Sequence, residues 1–254
     1  MRVDDAAVGA SEHLSLRQAW ESHAEAWAAW ARTPGFDHAF WRYNMPRFLE
    51  LVPEPGRLTV DIGCGEGRLG RILQELGHRV IGIDSSPTLA RLAATHDNPE
   101  TAMIGDGAAL PIRDEVADLA IAFMSLQDFD DLDGAMQEIA RILRPGGTLC
   151  MANLHPFVTA GDFVDDSSDS AFQVTRGYGE SYRFVESIEQ DGRTMVFHSF
   201  HRPLSAYTSA LRHAGLSIEQ IVEPVPDDAH IRDHPSMVRQ RRMPWWLHIR
   251  AVRS

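Results

Sequence analysis

The sequence predicts an α/β fold: a doubly wound, mostly parallel sheet of seven strands, with an N-terminal helical layer and an inserted β-hairpin. Three observations predict it. From Leu58 to Asn153, short apolar runs alternate with amphipathic helical ones, the rhythm of strand-helix-strand units. One run, "VADLAIAFMSLQDF", is almost continuously apolar, as a strand must be when helices cover both its faces. The stretch "TVDIGCGEGRLG" (Thr59 to Gly70) feeds β-favouring residues into a glycine cluster and then a helical pattern. Such a turn lets backbone come close to a ligand.

The 254 residues divide into four stretches of one domain, 1–254. Residues 1–52 form a helical cover, with Trp20, Trp27 and Trp30 at helical spacing and Phe40, Trp41, Phe48 and Leu51 continuing the pattern. Residues 53–156 are the sheet core. "RLTVDIG" is its first strand, and "EGRLGRILQELG" a helix with Leu69, Ile72, Leu73 and Leu76 on one stripe, ended by Gly77. "HRVIGIDSS" is a strand ending in an acid, "SPTLARLAATH" a helix opened by Ser-Pro, and "TAMIGDGAALPI" a strand and turn. "LDGAMQEIARILRPGG" is an amphipathic helix stopped at Arg144-Pro145-Gly146-Gly147, followed by the strand "TLCMANLH". Residues 157–202 hold a polar, mobile loop over 158–170 and a hairpin around Asp191-Gly192. A two-residue loop there pairs Tyr182 with His201, Phe184 with Ser199 and Glu186 with Phe197. Residues 203–254 add a helix and two strands, and "RQRR" (Arg239 to Arg242) reads as a solvated connector.

Composition excludes several classes of function. A net charge of −12 argues against a surface that neutralises a nucleic-acid backbone. The two cysteines, Cys64 and Cys150, fit neither a metal-ligand spacing nor a disulfide framework, which points to no bound metal and a reducing cytoplasm. The opening "MRVDDAAVGASEHLSL" has two early acids and no apolar segment, unlike a secretory signal. No run approaches the ~18 apolar residues of a membrane span. The expectation is a cytoplasmic protein without membrane or nucleic-acid partners.

The glycine turn narrows the ligand. A dinucleotide pattern is G-x-G-x-x-G, with its third glycine packing helix on strand beneath a pyrophosphate. Here Gly63, Gly65 and Gly67 bring the third glycine one residue early, and Arg68 stands where Gly or Ala is wanted. Glu66 at the helix start would repel a pyrophosphate, and no Gly-Lys-Ser/Thr follows for a phosphate loop. With Asp61 before the glycines as well, carboxylates on both sides of the turn suit a cationic ligand.

"VDIGCGEG" resembles the first motif of the class I S-adenosylmethionine-dependent methyltransferases, in particular the small-molecule, type 11-like group. The resemblance implies a Rossmann-like sheet, S-adenosylmethionine as cofactor, and methyl transfer to oxygen, nitrogen or carbon of a small organic acceptor. It also implies a cofactor site of Asp61, Gly63, Cys64, Gly65 and Gly67. Asp84 and Ser85 follow at the end of "VIGID", where the family's acid accepts from both ribose hydroxyls. Asp106, Gly107 and Ala108 match the adenine-reading segment, and Met124, Ser125 and Leu126 match the strand end beside the sulfonium. "ILRPGGTL" resembles the turn into the fifth strand. The alternative is a cofactor-binding regulator or partner protein that transfers nothing, and a nicotinamide-dependent oxidoreductase is disfavoured by the glycine spacing.

In-line transfer requires the acceptor held in attack geometry with water excluded. A hydroxyl acceptor also needs its proton removed. Ligands of open α/β sheets bind beyond the carboxyl ends of the strands, which singles out Gln127 and Asp128 and, after the fifth strand, His155. His155 is the first candidate base and His201 on the hairpin the second; Gln127 stands where many relatives have a histidine. Trp27, Tyr43, Gln127 and Tyr182 are the candidate acceptor contacts, because the cover and the insertion concentrate the aromatics. If the hairpin face bearing Tyr182, Glu186 and His201 turns outward instead, it becomes a homodimer contact.

Overall fold

The computed structural model describes residues 14–94, 101–165 and 167–254. The first thirteen residues, where a secretory signal was sought, and the helix end at 95–96 lie outside the described residues.

Strands β1 (Thr59–Ile62), β2 (Val80–Asp84), β3 (Ala102–Ile104), β4 (Ala117–Phe123), β5 (Leu143–Leu154), β10 (Leu216–Val222) and β11 (Trp246–Arg253) form one sheet in the order β10-β11-β5-β4-β1-β2-β3. The pairs from β5 to β3 are parallel, and β11 runs antiparallel between β5 and β10. The order reverses between β1 and β4, where chain crossovers leave in opposite directions and open a crevice beyond the strand ends. This is the doubly wound sheet that the alternating pattern predicts.

Each element follows from its residues. Helix α3 (Arg68–Glu75) begins at Gly67, whose φ of +85° suits glycine, and buries Leu69 and Leu73. Leu76, expected on the same stripe, is exposed because the helix has already ended there. Helix α4 (Pro87–Ala94) starts under Ser86, whose hydroxyl accepts from Leu89 N at 3.1 Å. Helix α5 (Leu132–Ile142) is capped by Asp131, buries Met136 and Ile139, and hands over to β5 without an intervening loop. Arg144-Pro145-Gly146 lies in the exposed first part of β5, so the stop belongs to a strand rather than a free turn.

The helical cover is α1 (Leu16–Ala31), a π-helical turn at Phe40–Asn44, and α2 (Met45–Leu49). Ser15 and Gln18 form a reciprocal capping box at the start of α1. Strands β8 (Tyr182–Gln190) and β9 (Arg193–His201) form the hairpin in the register that a two-residue loop dictates. Asp191 and Gly192 take φ of +51° and +71°, as a hairpin loop with two left-handed residues requires. The face carrying Phe197 and Met195 packs on Trp20, Trp27, Trp30 and Phe36 of the cover. It therefore turns inward and is not free to serve as an outward dimer contact.

The described residues around the 158–170 loop include helix α6 (Pro156–Thr159) and a small sheet of β6 (Gly161–Phe163) and β7 (Phe172–Val174), with an edge-to-face pair of Phe163 and Phe172 at 5.2 Å. "RQRR" is only partly solvated: it runs out of a 3₁₀ turn (Pro235–Arg241) that follows helix α8 (Asp228–Asp233), with Arg241 and Arg242 exposed and Gln240 buried. Arg242 donates to Ser170 O at 2.7 Å, Arg239 donates to Asp165 O at 2.6 Å, and Gln240 is buried against Tyr43. Bare carbonyls of the loop give these arginines partners that the sequence pattern does not display. Helix α7 (Leu204–His213) completes the layer over β5 and β11 with Tyr207 and Leu211 in the core.

Ile139 is wholly buried in the cluster that joins α5, α7 and the sheet. Ile139→Ala is expected to cost about 2–5 kcal/mol of unfolding free energy, measured by urea denaturation with an unchanged slope.

Candidate functional site

The carboxyl ends of β1, β2 and β4 converge on the glycine turn. Gly63 N and Cys64 N both donate to Ile83 O, at 2.7 and 3.1 Å, so the turn is stitched to β2 before any ligand is considered. Ser125 Oγ donates to Ile62 O at 2.6 Å and stitches it to β4. Gly63 has φ of +72°, and a Cβ placed there would lie 2.4 Å from Ser125 Cβ; glycine is needed twice over. A Cβ on Gly107 would lie 2.2 Å from the Phe129 ring, so that turn also demands a bare backbone. Met124 takes φ of +57°, a conformation that costs a non-glycine residue ~1–3 kcal/mol and clusters at functional sites.

Three carboxyl groups face this region. Asp84, at the end of β2, is oriented by Gly65 N and Ser86 N, each donating at 2.9 Å to a different oxygen. Burial still pushes its pKa up to about 6. Asp61 lies 2% exposed, its Oδ2 without a hydrogen-bond partner, and burial reinforced by Asp84 raises it to about 7. Asp128 ends the 3₁₀ turn Leu126–Asp128 after β4, and burial holds its carboxyl well above the usual carboxylate range, with Asp84 adding repulsion. Asp106 is exposed on the next loop, where Oδ1 accepts from Ala108 N at 2.9 Å. Ser85 is half-buried beside Asp84, while the Leu126 side chain is wholly buried in the core beneath the crevice.

Glu66 does not act as the sequence suggests. Its carboxylate is enclosed by Arg32 at 2.8 Å and Arg71 at 2.8 Å, so its charge is spent inside the fold. The turn is roofed by α1: Trp27 Nε1 comes within 3.4 Å of where a Gly65 Cβ would sit, and Glu21 accepts from Ser86 Oγ and, at 2.8 Å, from Thr88 Oγ1. Arg68 stacks on Phe40 at 3.6 Å and reaches Trp27 at 5.1 Å while pairing with Asp37 at 2.7 Å. Cys64 fills the space under the turn, and burial raises its thiol pKa well above the ordinary value, which suits packing rather than nucleophilic chemistry.

The candidate bases have structural employment. His155 caps α6, its Nδ1 accepting from Phe157 N at 3.2 Å, and its Nε2 meets Glu223 Oε1 at 2.9 Å. His201 Nδ1 meets Thr159 Oγ1 at 2.6 Å, and its Nε2 meets Tyr178 O at 3.0 Å. Both rings are buried, which lowers their pKa, and neither retains an unengaged nitrogen. Among the acceptor candidates, Trp27 stands over the glycine turn. Tyr43 bonds Gln240, Gln127 Oε1 accepts from Leu154 N at 2.7 Å, and Tyr182 donates to Thr159 O at 3.0 Å. Glu21, Arg68 and Ser199 join the site without any motif to announce them. Asp128 carried one signal, its place directly after the fourth strand. Among the described residues, no group of three His, Cys, Asp or Glu side chains is placed to hold a metal, and no helix is long and apolar enough to cross a membrane.

Residues 60–151 match the family model described as a methyltransferase domain. Over this segment the chain is similar to methyltransferase domains. The chain is similar to malonyl-[acyl-carrier protein] O-methyltransferase of Serratia marcescens, 31% identical over 100 residues, or 39% of each chain. It is 35% identical over 117 residues to demethylmenaquinone methyltransferase of Corynebacterium kroppenstedtii, covering 46% of this chain and 49% of that one. The chain thus spans less than half the length of either relative. The fold is shared with an S-adenosylmethionine dependent methyltransferase from Mesorhizobium loti, at a TM-score of 0.69 and 24% identity, over 85% of this chain and 98% of that one.

The raised Asp61 pKa has a consequence for stability. The folded state holds this proton more tightly than the unfolded chain, so the contribution is favourable at low pH. It is lost as pH rises from the ordinary carboxylate value of 3.8 to about 7. Urea denaturation of wild type and Asp61→Asn between pH 4 and 8 is expected to show the variant gaining on wild type across that window. Parallel curves would refute the assignment.

Proposed function

We propose that the chain transfers the methyl group of S-adenosylmethionine to a small organic acceptor by in-line displacement. The observation that carries this reading is the set of strand-end carboxyl groups around a glycine turn that backbone alone can line. The cofactor brings a sulfonium, an ammonium, a ribose diol and an adenine amino group, all of which suit carboxylate partners. Asp61 has a buried oxygen, Oδ2, without a hydrogen-bond partner. Asp84 is already oriented by two N–H donors and keeps lone pairs for the diol. Asp106 is exposed to take the adenine end, with Gly107 and Ala108 more deeply set beside it. The residues present fit the group, with Gly63, Cys64, Gly65, Gly67, Ser85, Met124, Ser125 and Leu126 forming the floor. The bound cofactor supplies an electrophilic methyl carbon; the chain's own work is to orient it, exclude water and hold the acceptor.

The acceptor is a small molecule met under the aromatic roof of Trp20, Trp27 and Phe197, whose rings pack edge to face at 5.9 to 6.3 Å. The acidic balance of the chain, −12, disfavours nucleic acid. The relatives' names, a malonyl acyl-carrier protein and a demethylmenaquinone, support acceptors of metabolite size or metabolite-bearing carriers. Two unpaired, buried cysteines agree with a reducing cytoplasm.

Titration calorimetry with S-adenosylmethionine tests the reading. Wild type is expected to bind it, and Asp84→Asn to bind at least tenfold more weakly, about 1.4 kcal/mol or more. Absence of binding by the correctly folded wild type, or equal binding by the variant, would overturn it.

A further inference from the structure

Asp128 occupies a place that the reading above leaves unused. It lies at the carboxyl end of β4 with Asp84 in electrostatic reach, and Ser199 of β9 donates to its Oδ1 at 2.5 Å. Its Oδ2 makes no hydrogen bond among the described residues. Ser199 shares a hairpin face with Phe197, whose ring meets Trp27 at 5.9 Å, and Trp27 roofs the glycine turn. A continuous wall therefore runs from Gly65 through Trp27 and Phe197 to Ser199 and Asp128. Arg202, the cation behind this wall, is committed to the carbonyls of Leu126, Gln127 and Phe129, so it fixes the turn without forming a direct ion pair to the carboxyl.

We propose that Asp128, oriented by Ser199, is the acceptor-side proton acceptor of this site, and that the acceptor is a hydroxyl-bearing aromatic molecule. The inference rests on the methyl-transfer reading and names its substrate class. Three acceptor classes can be weighed against this carboxyl once the sulfonium's charge has drawn it to its ionised form. An anionic oxygen would be repelled, since a like charge in a poorly solvated site is costly. An amine would be kept as its ammonium, which has no lone pair to attack. A hydroxyl gains: it donates to Oδ2, its oxygen forms the bond to the methyl carbon, and the carbon–sulfur electron pair stays on sulfur as a neutral thioether. The hydroxyl proton passes to Asp128 and leaves to water afterwards. The raised proton affinity of this carboxyl makes it a stronger base than a solvated aspartate. The edge-to-face aromatic roof favours a ring as the carrier of that hydroxyl.

The test uses calorimetry on the full chain with two probes. Sinefungin carries a protonated amine where the sulfonium methyl would be, and S-adenosylhomocysteine carries nothing there. Asp128→Asn is expected to weaken sinefungin at least tenfold and S-adenosylhomocysteine less than threefold, while Asp84→Asn weakens both alike. Equal losses for both probes in Asp128→Asn would overturn the placement. Failure of wild type to bind either probe would instead overturn the underlying methyl-transfer reading. A turnover arm follows release of S-adenosylhomocysteine from catechol and hydroquinone acceptors and from a malonyl thioester with a free carboxylate. Turnover of the phenols that falls at least 100-fold in Asp128→Asn supports the role, and turnover of the malonyl thioester alone overturns the acceptor class.

Discussion

Three carboxyl groups at the ends of β1, β2 and β4, Asp61 and Asp84 buried and Asp128 partly so, set the terms for everything around them. Asp84 repels both Asp61 and Asp128, and Asp61 and Asp84 are driven up to about 7 and about 6. Leaving such groups without a paired cation costs stability, because desolvation is not repaid by attraction. The fold has cations close by and pairs most of them elsewhere: Arg32 and Arg71 with Glu66 and Arg68 with Asp37, while Arg202, hydrogen-bonded to backbone carbonyls, attracts Asp128 only in part. A positively charged ligand in the crevice relieves this repulsion. On the proposed reading, relief of this unfavourable electrostatics contributes to the binding of a sulfonium cofactor.

That arrangement needs rigid support, and the structure supplies it from three directions. Backbone hydrogen bonds from Gly63 and Cys64 to Ile83, and the Ser125 bond to Ile62, lock the strand ends together. The wholly buried side chains of α5, α7 and the sheet hold those strands from below. Helix α1 closes the crevice from above through Glu21 on the start of α4, Trp27 over Gly65 and Arg32 on Glu66. The same contacts make α1 the element that partly covers the glycine turn.

The sheet and its flanking helices were legible because their signals are local. Alternating periodicity, capping at Ser86, and the Asp191-Gly192 turn each act within a few residues, and the hairpin register follows from loop length alone. The segment similar to methyltransferase domains was legible because five short motifs fall in order along it. What escaped depends on partners far apart in sequence. Glu66 was read as a ligand-facing charge because its neutralising Arg32 is 34 residues away. "RQRR" was read as solvated because the carbonyls it binds lie 72 to 74 residues earlier. His155 and His201 had the residue type and position of a base, yet their ring partners, Glu223, Thr159 and Tyr178, come from other elements. Asp128 was visible as a strand-end acid, but Ser199, which orients it, arrives by the hairpin fold.

If these mutually repelling carboxyl groups take up a cation, proton release on binding measures it directly. Calorimetry of S-adenosylmethionine at pH 6, repeated in buffers of different ionisation enthalpy, counts protons released as the ligand's charge pulls these groups toward their ionised forms. The account predicts a net release that shrinks toward zero by pH 8 and is larger than that seen with S-adenosylhomocysteine. Binding without proton release at pH 6, or equal release for the charged and neutral ligands, would contradict it.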